Sequence, residues 1–185
     1  MKSVFALGAA LVVAAATVGC GESPIAATPP GQLPFVTPLG GLWSGSLTLT
    51  GASGGECVGN ELRAAAAAGT APDQGTVSVT QDGSDVAAIV RSATTGLTCD
   101  YKGTSSLNSF ALSAVSCSEE VFYQCADGSP RVLVPIGSTL TATQSGTTAS
   151  GVVATSYNVF SINDNNERKP LAALSTRSDF TASRR

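Results

Sequence analysis

Five cysteines and no histidine bound the chemistry open to this chain. Cys57, Cys99, Cys117 and Cys125 show no Cys-x-x-Cys spacing, and without imidazole a zinc set is not expected. No basic neighbours stand ready to lower a thiol pKa, so redox catalysis is not expected either. The four read instead as two disulfides, for which three connectivities exist. Cys117 and Cys125 bracket a short loop carrying Glu119, Glu120 and Tyr123. A local Cys117–Cys125 bridge is therefore the expectation, which leaves Cys57 to reach Cys99. Each bridge adds about 2–4 kcal/mol.

Other candidate groups read as structure. Gly51-Ala52-Ser53-Gly54-Gly55 fits the Gly-x-Ser-x-Gly pattern of a nucleophile elbow, but that elbow needs a histidine to take the proton. A glycine-rich loop is the expectation there. Asp82 with Asp85, and Glu119 with Glu120, could serve a hydrolase only by converging on one cleft, roughly 5–9 Å apart. Asp82 and Asp85 flank a turn, where Asp is favoured for local reasons, and both pairs read as solvated. The run Asn163-Asp164-Asn165-Asn166-Glu167 offers oxygens that suit calcium, but lacks the glycine and spacing of an EF-hand. No catalytic residue, metal or cofactor is assigned, and the protein is expected not to be an enzyme.

The elements that must carry these residues are strands. The chain has 185 residues, 43% apolar and 12% charged, enough for one domain with a core. Its Gly, Ser and Thr content argues against a helical bundle. A net charge of −3 and the lack of a basic run argue against nucleic acid as a partner. Leu47 and Leu49 alternate with Ser46, Thr48 and Thr50; Val77 and Val79 alternate with Thr76, Ser78 and Thr80. Val86, Ala88 and Val90, then Leu97, Cys99 and Tyr101, then Phe110, Leu112 and Ala114 continue the pattern. Alternation of this kind turns one side of each strand to a core and the other to water.

Eight strands are expected, over 42–50, 75–81, 85–92, 97–103, 107–117, 131–143, 147–161 and 171–182. Asp82-Gly83 predicts a tight hairpin with positive φ at both central residues. Pro135 predicts a bulge or edge-like bend. Asn60 as N-cap, five alanines and Gly69 predict a short helix over 61–68 in the first long connection. The steady hairpin rhythm favours an all-β, eight-stranded antiparallel up-and-down barrel, which leaves no exposed edge; a two-sheet sandwich is the alternative.

The N-terminal segment reads as an address. Lys2 precedes an apolar run over 4–18, too short for a comfortable membrane span. The run ends Thr17-Val18-Gly19-Cys20, which resembles the lipobox of bacterial lipoproteins. That resemblance implies loss of residues 1–19 as a signal peptide, a diacylglyceryl thioether on Cys20, and N-acylation of the new amine with palmitate. Gly21 rather than Asp after the cysteine implies the outer membrane of the cell envelope. Lipid on Cys20 leaves four cysteines to pair in an oxidising compartment. Residues 20–40 follow as a tether with five prolines, Pro24, Pro29, Pro30, Pro34 and Pro38, extended and solvated. The barrel domain is expected over 41–185.

Gly41-Leu42-Trp43 at the start of the first strand resembles the calycin group of small barrels: lipocalins, avidin-like proteins and fatty-acid-binding proteins. The resemblance implies that Trp43 plugs one end of the barrel under an arginine from near the C-terminus, with Arg177 as the candidate. An avidin-like site needs several tryptophans, and Trp43 is the only one, so biotin is not implied. The functional expectation is a non-enzymatic envelope lipoprotein that binds a small apolar ligand or a protein partner, or is structural. The alternatives are an envelope hydrolase using carboxylates, and an accessory of outer-membrane assembly marked by an exposed apolar patch.

Overall fold

The structure is a computed structural model and describes residues 38–118, 120–163 and 165–185. The expected signal peptide, Cys20 and most of the expected tether lie outside the described residues. The chain forms β1 (Gly41–Gly54), α1 (Glu56–Ala68), β2 (Asp73–Asp82), β3 (Asp85–Ser92), β4 (Thr98–Ser106), β5 (Ser109–Ser118), β6 (Val121–Gln124), β7 (Pro130–Ser145), β8 (Thr148–Ile162) and β9 (Arg168–Arg184). Every sheet pairing is antiparallel. β1 joins β2 on one side and β9 on the other, and β5 meets β7, so eight strands close into a barrel.

The residues expected inside are inside. Val77, Val86, Ala88, Cys99, Tyr101, Phe110 and Leu112 are buried, while Ser78, Asp100, Lys102 and Ala111 between them are exposed. Each strand thus spends one face on the core and one on water. A lipid-facing barrel has the opposite pattern, with an apolar band outside.

Closure is thin at one seam. β5 pairs with β7 only from Ser109↔Thr143 to Ser113↔Thr139. Beyond that β5 continues along β4 alone, with a bulge at Val115 opposite the step from Asp100 to Tyr101. β6, a ninth strand that the alternation does not signal, rejoins the lower part of β7 at Val121↔Leu133. The expected bend at Pro135 falls in the stretch between, where β7 has a partner only in β8 and its register shifts between Pro135 and Gly137. A residue with no N–H is tolerated at such an edge-like place.

Three details differ from expectation. The β2–β3 turn centres on Gly83 and Ser84, since Asp82 and Asp85 are themselves paired, and only Gly83 takes a positive φ, 60°. Leu39, expected in the tether, is buried in the core at 4% exposure, with its N–H donated to Gln81 Oε1 at 2.6 Å. The helix starts five residues early. Left-handed Gly54 and Gly55, at φ 73° and 70°, turn the chain into α1, and a Cβ on Gly59 would lie 1.7 Å from the Gly54 carbonyl oxygen. That early turn places Val58 fully inside. Asn60 accepts from Arg63 Nη2 instead of capping, and left-handed Gly69 ends the helix as expected.

Two core clusters result. Leu39, Trp43, Phe110, Leu112, Leu140 and Phe180 fill the end where β1 begins. Val58 of α1 joins Cys125, Leu133, Val159 and Leu174 at the other end.

Candidate functional site

Between these clusters the barrel encloses a cavity of about 340 Å³, within the range of roughly 300–1,000 Å³ usual for small-molecule sites. Its apolar walls come from inward positions of β1, β2, β3 and β7, including Leu47, Val77, Val90 and Leu133. Leu62 of α1 lines the helix side. The Trp43 end is packed: the void among Leu39, Trp43 and Phe180 is only about 20 Å³. The cavity reaches exposed residues at the opposite end, where Thr70 and Ala71 after α1 face Thr95 of the β3–β4 loop.

A patch of hydroxyls interrupts the apolar wall. Tyr101 on β4 donates to Ser138 Oγ on β7 at 2.7 Å. Ser138 donates to the Ala154 carbonyl at 3.3 Å and lies 2.8 Å from Thr155 Oγ1 on β8. Thr176 on β9 donates to the Thr155 carbonyl at 3.4 Å. Tyr157 lies beside Thr155 and Thr176. Burial raises the pKa of both Tyr101 and Tyr157, only partly opposed by hydroxyl neighbours, so both phenols stay neutral across the physiological range.

Charge is confined to the rim. Asp73 accepts from Ser92 Oγ at 2.6 Å and from the Thr94 N–H at 3.2 Å, which holds the β3–β4 loop beside the opening. Glu61 of α1 accepts from Tyr123 Oη and from the Ala126 N–H, both at 2.8 Å. Burial first, and then the Glu61 carboxylate, push the Tyr123 phenol up to about 12. These bonds and the Cys57–Cys125 disulfide fasten α1 to the β6–β7 turn beside the cavity.

That disulfide corrects the expected pairing. The bridges are Cys57–Cys125 and Cys99–Cys117, not Cys57–Cys99 and Cys117–Cys125. Cys99 and Cys117 face each other directly across β4 and β5, with Cα atoms 4.0 Å apart. β6 then carries the chain away from Cys117 along β7, so Cys125 arrives under the start of the helix. Nearness in sequence misled because an unexpected strand lies between the two cysteines.

The arginine over Trp43 is likewise corrected. Trp43 is buried at 3% exposure and donates its indole N–H to the Leu39 carbonyl at 3.0 Å. The guanidinium above its ring belongs to Arg184, 5.8 Å from the ring centre. Arg177 lies opposite Gly51 and is exposed. The inward positions of β9 are even-numbered, among them Leu174, Phe180 and Ala182, which puts Arg177 on the outer face.

The remaining candidates are dispersed. Ser53 is exposed within β1, opposite Ser175, and the glycines around it serve the turn into α1. Asp82 and Asp85 pair at a hairpin tip. Glu120 forms an ion pair with Arg168, with the second contact at 2.7 Å; Glu119 lies outside the described residues. Asn163 Oδ1 accepts from the N–H groups of Asn165 and Glu167, at 3.1 and 2.8 Å, which occupies that oxygen; Asp164 is outside the described residues. Among the described residues no three His, Cys, Asp or Glu side chains gather as a metal set. Val115 (62%) and Ile136 (58%) are exposed beside the seam, with Phe122 (71%) on β6.

The hydroxyl patch was not anticipated. Its signal is present in β8, whose inward positions 153, 155, 157 and 159 read Val, Thr, Tyr, Val. No family model matches the chain, and neither a curated protein nor a solved structure matches it.

Proposed function

We propose that this protein is a lipid-anchored barrel of the bacterial envelope that holds a small, largely apolar ligand in its interior. The observation that carries the reading is the cavity of about 340 Å³, walled by aliphatic side chains and reaching the surface at one end. Burial of a ligand's apolar surface there contributes about 25 cal/mol per Å² removed from water, before the cost of association. The calycin likeness supports the same reading through the strand order and the Trp43–Arg184 plug.

Cysteine use supports the anchor. The four described cysteines are consumed in two disulfides, which leaves Cys20 as the odd thiol in an oxidising compartment. Lipid on Cys20, followed by the proline-rich tether, holds the barrel at the membrane surface, in the outer membrane by the Gly21 rule. More than one acyl chain makes such an anchor durable.

The hydrolase alternative has less support. It needs carboxylates converging on a cleft, whereas Asp82 and Asp85 sit at a hairpin tip and Glu120 is held by Arg168.

Two measurements test the proposal. Titration with the neutral fluorophore N-phenyl-1-naphthylamine is expected to give saturable enhancement with one dye per protein; a linear, unsaturable response contradicts the ligand reading. Palmitate labelling in cells is expected for the wild type and absent in Cys20→Ser; an unlabelled wild type ends the anchor reading.

A further inference from the structure

The hydroxyl patch narrows the chemistry of the ligand. This step rests on the cavity being a ligand site. Hydroxyl protons can be followed one by one. Tyr101 gives its proton to Ser138, Ser138 gives its own to the Ala154 carbonyl, and Thr176 gives its own to the Thr155 carbonyl. Across the 2.8 Å contact between Ser138 and Thr155 either hydroxyl can be the donor. At least three of these four protons are therefore spent within the barrel wall. What the wall presents to the cavity is mainly oxygen lone pairs, two on each hydroxyl less those already used. Tyr157, beside Thr155 and Thr176, and Ser178, which lines the cavity from β9, are hydroxyls whose protons can turn inward.

Such a surface both accepts and donates hydrogen bonds and carries no charge. A carboxylate or phosphate brings only acceptors, and its charge must leave water with no cation beside the hydroxyls to meet it. Arg91, at the rim, is exposed on the outer parity of β3, between inward Val90 and Ser92. It cannot follow an anion to the hydroxyls. An ammonium brings donors, but its charge must leave water, and the rim carboxylate of Asp73 is already engaged by Ser92 and Thr94. A neutral hydroxyl group meets both demands: it donates to the lone pairs and accepts the Tyr157 proton.

We infer that the cavity takes a neutral alcohol, an apolar body ending in a hydroxyl group, seated with that group against Thr155, Tyr157 and Thr176 and its carbon body against Leu47, Val77 and Val90.

The test is competition against bound N-phenyl-1-naphthylamine by decanol, decanoate and decylamine, matched in chain length, at neutral pH. Decanol is expected to displace the dye at concentrations lower by about tenfold or more than either charged analogue, because each of those must strand a charge. Decanoate displacing as well as decanol overturns the alcohol assignment and leaves the cavity reading intact. Failure of the dye itself to bind overturns the cavity reading, and the alcohol assignment with it. The seat is tested with Tyr157→Phe, which is expected to weaken decanol relative to the dye about three- to tenfold, the worth of one hydrogen bond. Thr176→Val is a second probe with the same expectation, and dye binding reports that each variant is folded. If both variants bind decanol as the wild type does, the hydroxyl patch is not its seat.

Discussion

Trp43 and Arg184 stand directly opposite each other across β1 and β9, with the guanidinium 5.8 Å from the centre of the indole ring. The same arginine donates to the Gly40 carbonyl. One side chain thus covers the plug and ties down the chain where it enters the barrel. Because Arg184 is exposed, its cation–π contact is worth about 0.5–1 kcal/mol. Trp43 is buried, so its loss carries the larger transfer and cavity cost.

Trp43→Ala is therefore expected to cost about 3–5 kcal/mol and Arg184→Ala about 1 kcal/mol. Arg177→Ala is expected to stay within about 0.5 kcal/mol of the wild type. Urea unfolding followed by circular dichroism measures all three. An Arg177→Ala loss equal to that of Arg184→Ala contradicts the placement of the plug.

The disulfides differ in the chain they enclose. Cys57–Cys125 spans a sequence separation of 68 and Cys99–Cys117 one of 18. On chain-entropy grounds the first stabilises by about 4 kcal/mol and the second by about 3 kcal/mol. The double variant Cys57→Ala/Cys125→Ala is expected to be the less stable of the two pairwise deletions, since it also frees α1 from the β6–β7 turn. Peptide mapping without reduction checks the connectivity: a fragment joining Cys117 to Cys125 contradicts it.

All three tyrosines resist ionisation. Burial raises Tyr101 and Tyr157, and burial with the Glu61 carboxylate raises Tyr123 to about 12. A phenol held neutral in the folded state stabilises it fully below the unfolded value near 10, and that contribution fades as pH rises towards the folded value. Little phenolate absorbance is expected at pH 10 while the protein is folded, and stability is expected to fall between about pH 10 and 12. Glu61→Gln is expected to lower the Tyr123 pKa, because the carboxylate that opposes a phenolate is gone. Ordinary titration of all three near pH 10 contradicts the buried placement.

Glu120 carries the opposite shift. Its hydrogen bond to Arg168 holds the carboxyl below the usual range. Its contribution is present above the unfolded carboxylate value and is lost as pH falls through the folded one. Both groups are in water, so salt screens the effect. Carboxyl chemical shifts followed against pH are expected to return Glu120 to the ordinary range in Arg168→Ala or at high salt; an unmoved value contradicts the pair.

The barrel was legible because alternation is a strong local signal. Val77 to Val79, Val86 to Val90 and Phe110 to Ala114 each declare which face is buried, and Gly83, Gly96 and Gly146 mark turns at positive φ. Relations set by register were not legible. Arg177 and Arg184 are both on β9, and only the offset of β9 against β1 decides which one meets Trp43. The cysteine pairing failed for a related reason: β6 is four residues long, too short for alternation to stand out. The helix start was missed because α1 begins through glycine conformations and not through a side-chain cap. The hydroxyl patch joins β4, β7, β8 and β9, and no segment carries it alone.

The interior as a ligand site is tested most directly by filling it. Ser178 lines the cavity from β9, and Ser178→Trp places a large side chain there. Titration with N-phenyl-1-naphthylamine is expected to show saturable binding by the wild type, and loss of that binding in a Ser178→Trp variant that unfolds at a temperature no lower. Undiminished binding by the filled variant means that the dye sits elsewhere, and contradicts the barrel interior as the site.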